Sequence, residues 1–380
     1  RLIRDSDQPE PELTAQAQDL IVGAKNDEDK IERITRFVTN FRYVSVPLGV
    51  NSFRPHSALH VWQNRYGDCK DKANLLDTLL TAVGFKTHLV LVPRFSQAYE
   101  DLPGFAFNHA IAAVDFAGKT LWIDSTDDVC RFGLLPPGDP GRQVLVVDDK
   151  VDALTTLPVS NVKDHRLTIE TTVNLTHAGE RDADVEIQAD GIGYADYLLR
   201  AMAQAAGPHQ VLPLLAAQFS STSGTFIPGH QQETAVDDLD HGFNWKANGS
   251  WDGLVSRLPQ SSTEIFRLPA WLPQEWRVAA LPRSNPLHLN EGYPMEIVQT
   301  WHIHLAPGSS GLKLPAPQSD PGPQLSWNLT WNAATPSDIT VKLDVVLSEA
   351  DLDQKETGGF QASCHHLQET LQDGLTFQNP

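Results

Sequence analysis

The chain has little cysteine and no long apolar run, and both shortages restrict its class. Only 3 of 380 residues are Cys, too few and too scattered for a disulfide framework, and no Cys-x-x-Cys pair suggests a metal site. No apolar run reaches the roughly 18 residues that span a membrane. No charged segment leads into an apolar one as in a signal peptide. Because the chain does not begin with Met, we expect a fragment or processed form, and an export signal upstream of residue 1 stays compatible with the sequence.

Basic residues are scarce as well. The chain has 29 Lys and Arg against 48 Asp and Glu, a net charge of −19, and most of the acidic excess follows residue 150. Such a surface repels phosphate backbones and anionic lipids. We therefore expect neither a nucleic-acid partner nor a membrane-surface partner, and solubility explains the acidity of the second half most simply.

Hydrophobic spacing predicts helices first and strands afterwards. Residues 1–11 form a polar linker. Helical spacing then recurs from Leu13 to Phe41, and a further helix is predicted over about 70–83. Past Gly84 the period becomes that of strands. This order predicts an α+β domain over residues 12–150, with a helix packed on an antiparallel sheet. The predicted strands of that sheet are residues 88–92, 108–114, 120–124 and 144–147.

Residues 151–380 have a different pattern, which predicts a β-rich domain with helical insertions. Alternating apolar and polar residues dominate, with a hairpin at its start. The predicted strands are residues 167–175, 184–189, 295–305, 326–331 and 339–347. The predicted helices are residues 194–206, 209–219 and 351–371.

Cys69 is the strongest candidate for a reactive group. Asp68 is a good N-cap, which places Cys69 at the first helical position. The positive end of the helix dipole favours a thiolate there, and the thiolate is the reactive form in acyl transfer. The alternative is a structural cysteine buried beneath a helix start. The polar residues 70–72 argue against burial on all sides.

His109 is the candidate base for that thiolate. If residues 115–118 are the turn of a hairpin, Val114 pairs with Lys119, and counting outward places His109 opposite Asp124. Opposed residues have Cβ atoms about 4.5–5.5 Å apart, so the carboxylate can orient the imidazole as the third member of a triad does. Residues 127 and 128 are also Asp, but they lie past the strand end and fit less well. Without this Asp, a strand His is more often a packed residue.

The stabilisation of a developing oxyanion needs further donors. The backbone N–H of Cys69 is the simplest choice. Gln63 and Trp62 are candidate side-chain donors, and Tyr43 is a candidate for the cleft wall. For Gln63 and Trp62, an ordinary loop or packing role is at least as good an interpretation. An aromatic at the position of Tyr43 is more often a core residue.

Three short motifs together resemble one family. They are residues 66–73 (YGDCKDKA), 107–109 (FNH) and 122–126 (WIDST). In this combination the sequence resembles the bacterial transglutaminase-like superfamily over about residues 30–147, and more narrowly its uncharacterised members whose core lies between β-rich domains. The resemblance implies a papain-like fold, a Cys-His-Asp triad at the three candidates above, no cofactor, a peptide or protein substrate, and a periplasmic or secreted location.

The resemblance leaves the reaction open, because the superfamily includes protein crosslinking, peptide hydrolysis, amide hydrolysis and inactive binding domains. One hypothesis is a cysteine-dependent enzyme that transfers acyl groups or hydrolyses amides. The other is a catalytically idle binding or scaffold module. The presence of all three triad residue types favours the enzyme.

Weaker signals remain in the second half. His302 and His304 would share one face of a strand, but no third ligand is evident, and the adjacent residues 364–366 (CHH) point apart on a helix. We therefore expect no metal site. Seven of the nine tryptophans also lie there, and core packing explains them with fewer assumptions than a carbohydrate or peptide groove.

Overall fold

The structure, a computed structural model, describes most of the chain. The described residues are 10–45, 54–96, 98, 106–148, 153–175, 182–206, 224–279 and 285–380. They fall into two compact units, residues 1–159 and 160–380. Most of the predicted linker and the whole predicted helix 209–219 lie outside the described residues.

Helices come first in the first unit, as the hydrophobic spacing predicts. Asn26 caps the second of them by accepting a hydrogen bond from the backbone N–H of Asp29 at 2.8 Å, and three acidic residues follow at the positive end of that helix. Helix α3 is not predicted by periodicity, because its seven residues bury only Ala58 and Val61. The helices are α1 (Pro11–Leu20), α2 (Asp27–Thr39), α3 (Ala58–Asn64) and α4 (Cys69–Ala82).

An antiparallel sheet with strand order β5-β4-β3-β6-β7 completes this unit. Leucines of α4 such as Leu76 and Leu80 share a core with Ala112 and Val114 of β4. The last strand lies past residue 150 and pairs with β6. The strands are β3 (Lys86–Val92), β4 (His109–Phe116), β5 (Lys119–Ile123), β6 (Gln143–Val146) and β7 (Thr155–Thr156). Two further two-residue strands, β1 (Arg42–Tyr43) and β2 (Tyr66–Gly67), form a separate parallel pair.

The register predicted for the β4–β5 hairpin is wrong by two residues. Phe116 pairs with Lys119, so that only Ala117 and Gly118 form the turn. Both have positive φ, 49° and 76°, as the tightest hairpin turns require. The alternation of apolar residues is the same for a four-residue and a two-residue turn, because a register shift of two residues keeps every side chain on the same face of the sheet. In the observed register Ile111 is opposite Asp124, and His109 is its diagonal neighbour on the same face.

The second unit is β-rich. Its largest sheet has the order β10-β11-β9-β8-β15-β19-β18-β17, antiparallel throughout except for the parallel pair of β8 and β15. A four-stranded sheet, β12-β13-β21-β16, and a two-stranded pair, β14-β20, accompany it. The α+β class and the β-rich second half are thereby confirmed.

The elements of this unit include the predicted strands and several that were not predicted. The strands are β8 (Arg166–Leu175), β9 (Ala183–Ile192), β10 (Thr225–Glu233), β11 (Asn244–Asp252), β12 (Val255–Arg257), β13 (Thr263–Arg267), β14 (Leu287–His288), β15 (Met295–Leu305), β16 (Ser310–Lys313), β17 (Gln318–Asp320), β18 (Leu325–Thr335), β19 (Asp338–Leu347), β20 (Asp351–Leu352) and β21 (Gly374–Gln378). The helices are α5 (Tyr194–Ala206), α6 (Gln274–Ala279) and α7 (Gln354–Thr370). Among the described residues, no helix is both long and apolar enough to cross a membrane.

Candidate active site

Cys69 is the first residue of α4, as the sequence predicts. The Asp68 side chain accepts a hydrogen bond from the Asp71 backbone N–H, and the Asp71 side chain accepts one from the Asp68 backbone N–H, which together make a capping box. The backbone N–H of Cys69 lies in the first helical turn, where the helix itself offers no acceptor. The thiol is half-buried, so a substrate atom can reach it.

Gly67 and Asp71 explain the local sequence around this helix start. A Cβ atom on residue 67 would lie 2.7 Å from the Cβ of Asp71, so only glycine allows β2 to approach α4 this closely. The buried Asp71 carboxylate also accepts hydrogen bonds from the backbone N–H of His56 at 2.8 Å and binds its Nδ1 at 3.0 Å. The segment before α3 is thereby tied to the helix start.

The inference that polar neighbours keep this region exposed is wrong for two of them. Asp71 is 4% exposed and Lys72 only 1%. The Lys72 ammonium donates to the carbonyl oxygens of Thr39 and Phe41, each at 2.9 Å, which fixes the chain that leads into β1. Burial lowers the pKa of Lys72 to about 8, although the charges of Asp124 and other nearby carboxylates oppose it. These polar residues are buried because each finds a specific partner.

His109 and Asp124 form a short, buried pair. His109 Nε2 lies 2.7 Å from Asp124 Oδ2. The other carboxylate oxygen accepts hydrogen bonds from the backbone N–H of Thr126 at 2.8 Å and from its hydroxyl at 2.7 Å. Asp124 stands one residue past the end of β5, where the chain can turn its carboxylate toward the first residue of β4. The two residues that the sequence predicts to meet do meet, though as diagonal rather than opposed neighbours.

Charge on Asp124 controls the ionisation of this pair. Burial pushes the pKa of His109 down, but the Asp124 charge, the hydrogen bond to Asp124 and the neighbouring Cys69 side chain raise it to about 10. Burial likewise opposes ionisation of Asp124, and the His109 charge and bond hold the pKa of its carboxyl well below the usual range. The pair is therefore an imidazolium and a carboxylate at neutral pH.

The Cys69 side chain is a second neighbour of His109. Since Nε2 binds Asp124, the ring nitrogen left for the thiol is Nδ1, and this contact contributes to the raised pKa of His109. In the described part of the chain the contact falls outside the standard geometry of a hydrogen bond, as is common before a substrate binds. The structure thus brings the three candidate residues Cys69, His109 and Asp124 together, with His109 between the other two.

Tyr43 contacts the thiol from another direction. The parallel β1–β2 pair places it directly opposite Gly67, two residues before Cys69. Burial raises the pKa of its phenol to about 12, with further contributions from the charge of Cys69, the charge of Asp68 and a bond to Cys69. Tyr43 is 46% exposed, so one wall of the site is open to solvent and carries a hydroxyl.

Comparison with known proteins supplies a family for this arrangement. The sequence model of the transglutaminase-like superfamily matches residues 14–124, from α1 to the carboxylate that binds His109. Residues 14–124 are therefore similar to the core of that superfamily. No curated protein matches the chain.

One solved structure shares the fold of this chain. The crystal structure of a "putative protease" from Parabacteroides distasonis aligns with 100% of this chain and 56% of its own, with a TM-score of 0.57 and 14% identity. The chain therefore spans little more than half the length of that structure, and the likeness shows a shared fold alone. A "putative cysteine protease" from Cytophaga hutchinsonii aligns with 30% of this chain and 37% of its own at 21% identity, but its TM-score of 0.25 is too low to support an argument.

The two side-chain donors suggested for the oxyanion lie on α3 of the first unit. The Trp62 indole N–H donates to Gln16 of α1 at 3.4 Å, and its ring packs against the helical core. Gln63 is exposed on the same helix. The backbone N–H of Cys69 and the Tyr43 hydroxyl are therefore the donors that the structure places nearest the thiol, and the role of all four groups stays a prediction.

Two further residues beside the candidate site were missed by sequence reasoning. Arg94, two residues past β3, has Nη1 3.7 Å from Asp124 Oδ2. Asp139, in the loop before β6, is fully buried. One oxygen of its carboxylate, one oxygen of Asp124 and one ring nitrogen of His109 all lie within 4.8 Å of one another. No motif or strand periodicity indicates these loop residues.

The group formed by His109, Asp124 and Asp139 has the residue types of a metal site. However, the Arg94 guanidinium already lies beside both carboxylates, 3.7 Å from Asp124 and 3.4 Å from Asp139. His109 Nε2 is also engaged by Asp124. A second cation here would have to overcome the repulsion of Arg94, so the residues fit an ion-pair network better than a metal centre.

The weaker signals of the second unit resolve into packing and surface pairs. His302 and His304 lie on the half-buried face of β15, and His304 Nδ1 binds Asp338 of the next strand at 2.9 Å. Cys364 is buried while His366 binds Asp320 at 3.0 Å. The seven tryptophans predicted to be core residues are buried, with exposures of 8% or less: Trp245, Trp251, Trp271, Trp276, Trp301, Trp327 and Trp331.

Proposed function

We propose that this protein is a cysteine-dependent enzyme that transfers the acyl group of peptide-like substrates to water or to an amine. The observation that carries the proposal is the buried His109–Asp124 pair at 2.7 Å, with the Cys69 thiol on the free side of the imidazole at a capped helix start. Thiol acyl transfer needs a nucleophile, a base within reach and a group that orients the base. Structural cysteines have no use for such an arrangement.

The chemistry follows from these positions. The Cys69 thiolate attacks the carbonyl carbon of an amide, forming an S–C bond and a tetrahedral oxyanion. The C–N bond then breaks, and the His109 imidazolium gives its proton to the departing amine. Water or a second amine attacks the resulting thioester while His109 takes up its proton, and the thiolate leaves. Asp124 keeps its charge throughout and stabilises the imidazolium.

Two groups are placed to stabilise the oxyanion. The Cys69 backbone N–H lies at the positive end of α4, and the Tyr43 hydroxyl contacts the thiol from the open side. An oxyanion donor is typically worth about 2.7–4 kcal/mol of transition-state stabilisation. Tyr43→Phe is therefore expected to slow acyl transfer without changing the ionisation of His109.

Selective alkylation of Cys69 tests the proposal. Iodoacetamide should modify Cys69 at least about tenfold faster than the other two thiols, because burial raises the pKa of Cys130 well above its usual value and Cys364 is fully buried. His109→Ala should slow the labelling of Cys69. The matched control is His88→Ala, which removes a half-buried His of β3 in the same unit and should leave labelling unchanged.

An acyl-enzyme trap identifies the substrate class. The protein is incubated with peptides or cell-wall peptide fragments, and a mass increase confined to Cys69 is sought by mass spectrometry. Equal alkylation of all three thiols, or labelling that ignores His109→Ala, would instead favour the idle binding module. A partner-dependent phenotype preserved in Cys69→Ala would favour it as well.

A periplasmic or secreted location belongs to the same proposal, on the resemblance to bacterial proteins of this superfamily. Cell fractionation of the producing organism with antibodies to this chain tests it. Recovery of the protein only with cytoplasmic markers would contradict it.

A further inference from the structure

Asp139 is a second buried carboxyl beside the proposed triad. It is fully buried, and one of its oxygens lies within 4.8 Å of both an Asp124 oxygen and a His109 ring nitrogen. The loop that carries it is held by Arg142, which donates to the carbonyl oxygens of Gly138 and Ser96, each at 3.2 Å. The position of Asp139 is therefore determined by its own loop.

The donors around the two carboxyls are unequally shared. Asp124 accepts from His109 and twice from Thr126. Neither oxygen of Asp139 accepts a hydrogen bond from the described residues. An ionised carboxylate without donors is among the most costly groups to bury.

The Arg94 guanidinium does not offset the cost of burying an ionised Asp139, because it also interacts with two other acceptors. Its Nε and Nη2 donate to the carbonyl oxygen of Pro137 at 3.3 and 3.1 Å. Its Nη1 lies 3.7 Å from Asp124, and its Nε lies 3.4 Å from Asp139. One guanidinium therefore faces two carboxyls, and two adjacent carboxyls with one cation cannot both ionise cheaply.

Protonation of Asp139 removes the repulsion between the two adjacent carboxylates. As an acid, Asp139 carries a hydroxyl that can donate to the neighbouring Asp124 carboxylate, one oxygen of which lies within 4.8 Å of an Asp139 oxygen. The two orphaned oxygens then become a donor and a neutral carbonyl. Asp124 is the partner that stays ionised, because it has the greater number of donors.

We propose that Asp139 is a positioning residue of the Cys69–His109–Asp124 site, a neutral carboxylic acid at physiological pH that donates to Asp124 and holds it against His109. The positioning role of Asp139 rests on the proposed function, whereas the geometry around Asp139 does not depend on it. Asp139 acts on the reaction only through Asp124 and His109.

The ionisable groups that face Asp139 come from several elements. They are Asp124 past β5, His109 on β4, Arg94 past β3, and Cys130 in the preceding loop. Burial, reinforced by the charge of Asp124, raises the pKa of Asp139 to about 8, although Arg94 and His109 oppose the shift. Above pH 8 the carboxyl therefore gains a negative charge beside the imidazolium, which keeps His109 protonated to higher pH.

Asp139→Asn in the full chain tests this inference, because asparagine reproduces the shape and the donor of the acid but never ionises. Labelling of Cys69 by iodoacetamide at pH 7 should stay within about twofold of wild type, whereas Asp139→Leu, which has no donor, should slow it about tenfold. The midpoint of the His109 titration, followed by NMR of the labelled imidazole, should fall by about one pH unit in Asp139→Asn. Asp115→Asn is the matched control: it removes an exposed carboxylate six residues along β4, about 20 Å away.

Two results would overturn the inference. One is slow labelling of Asp139→Asn at pH 7, which would mean that the charge is required. The other is a His109 titration that coincides with those of wild type and Asp115→Asn. If Asp139→Asn does not fold, the carboxyl carbon of Asp139 in wild type decides: titration above pH 7 supports the inference, and ionisation below pH 5 refutes it. Unselective labelling in wild type would defeat the proposed function while the NMR titrations still test Asp139.

Discussion

Replacement of Asp124 by Asn isolates the charge that the proposed mechanism needs most. The amide occupies the same space and still accepts a hydrogen bond from Thr126, so the loop after β5 should keep its shape. What disappears is the negative charge 2.7 Å from His109 Nε2. Burial, the largest single influence on the pKa of His109, then lowers that pKa without the opposing effect of the Asp124 charge. The pKa of His109 should therefore fall from about 10 by about 1.5–2 units, which corresponds to a net energy of about 2–3 kcal/mol.

The magnitude follows from the distance. Two unit charges 2.7 Å apart attract by about 6 kcal/mol at an effective dielectric constant of about 20. The new amide recovers part of this through its hydrogen bonds, so a net loss of about 2–3 kcal/mol is expected. Since about 1.4 kcal/mol is a factor of ten, the alkylation of Cys69 at pH 7 should slow by roughly 30- to 150-fold.

Two measurements check this result. The rate of Cys69 alkylation at pH 7 is compared among wild type, Asp124→Asn and the control Asp115→Asn, and the His109 titration is followed by NMR. The pH dependence of stability has a definite sign. Because the pKa of His109 is raised, its charge stabilises the folded state fully below about pH 6.5, and this contribution is lost as the pH rises toward about 10. Because the pKa of Asp124 is depressed, its contribution to folding is present above about pH 4 and is lost at lower pH. An unchanged His109 titration in Asp124→Asn would refute the reasoning.

Three other substitutions test the surroundings of the site. Gly67→Ala places a Cβ 2.7 Å from that of Asp71 and should destabilise α4 by about 1–3 kcal/mol, which hydrogen exchange of α4 measures. Gly358→Ala, where a Cβ has nothing within 4 Å, controls for the loss of a glycine. Lys72→Met leaves two buried carbonyls without their donor and should cost about 1–3 kcal/mol; a urea midpoint equal to that of wild type would contradict the role given to Lys72. In Asp139→Asn the stability relative to wild type should rise between about pH 4 and 8, at up to about 1.4 kcal/mol per pH unit, because the folded wild type holds a proton there that the unfolded chain releases. A flat difference across that range would contradict a raised pKa at Asp139.

Much of the site follows from local sequence. Asp68 before an apolar stripe indicates a helix start, and Cys69 occupies its first turn as expected. The period-2 segments around His109 and Asp124 indicate a hairpin, because alternation is a local property of a strand with one buried face. Even the wrong register kept the two residues on one face, since an error of two does not change which side a residue points to.

Other features depended on contacts that local sequence does not contain. Asp71 and Lys72 look like solvated residues because they are charged, yet they are buried against backbone groups of distant segments. Tyr43 reaches the thiol through a parallel pairing of two-residue strands, which is too short to leave a periodic signal.

The sequence by itself indicated the candidate nucleophile, its helix start, the histidine and carboxylate proposed as its partners, and the order of helices before strands. Those properties follow from helix-capping residues, hydrophobic periodicity and motif spacing, each of which depends on only a few neighbouring residues. The tertiary structure alone decided that Arg94 and Asp139 join the site, because loops from different strands meet there through folding rather than through spacing along the chain. Their effect on ionisation arises only in that buried space, where neighbouring charges interact strongly and water no longer screens them.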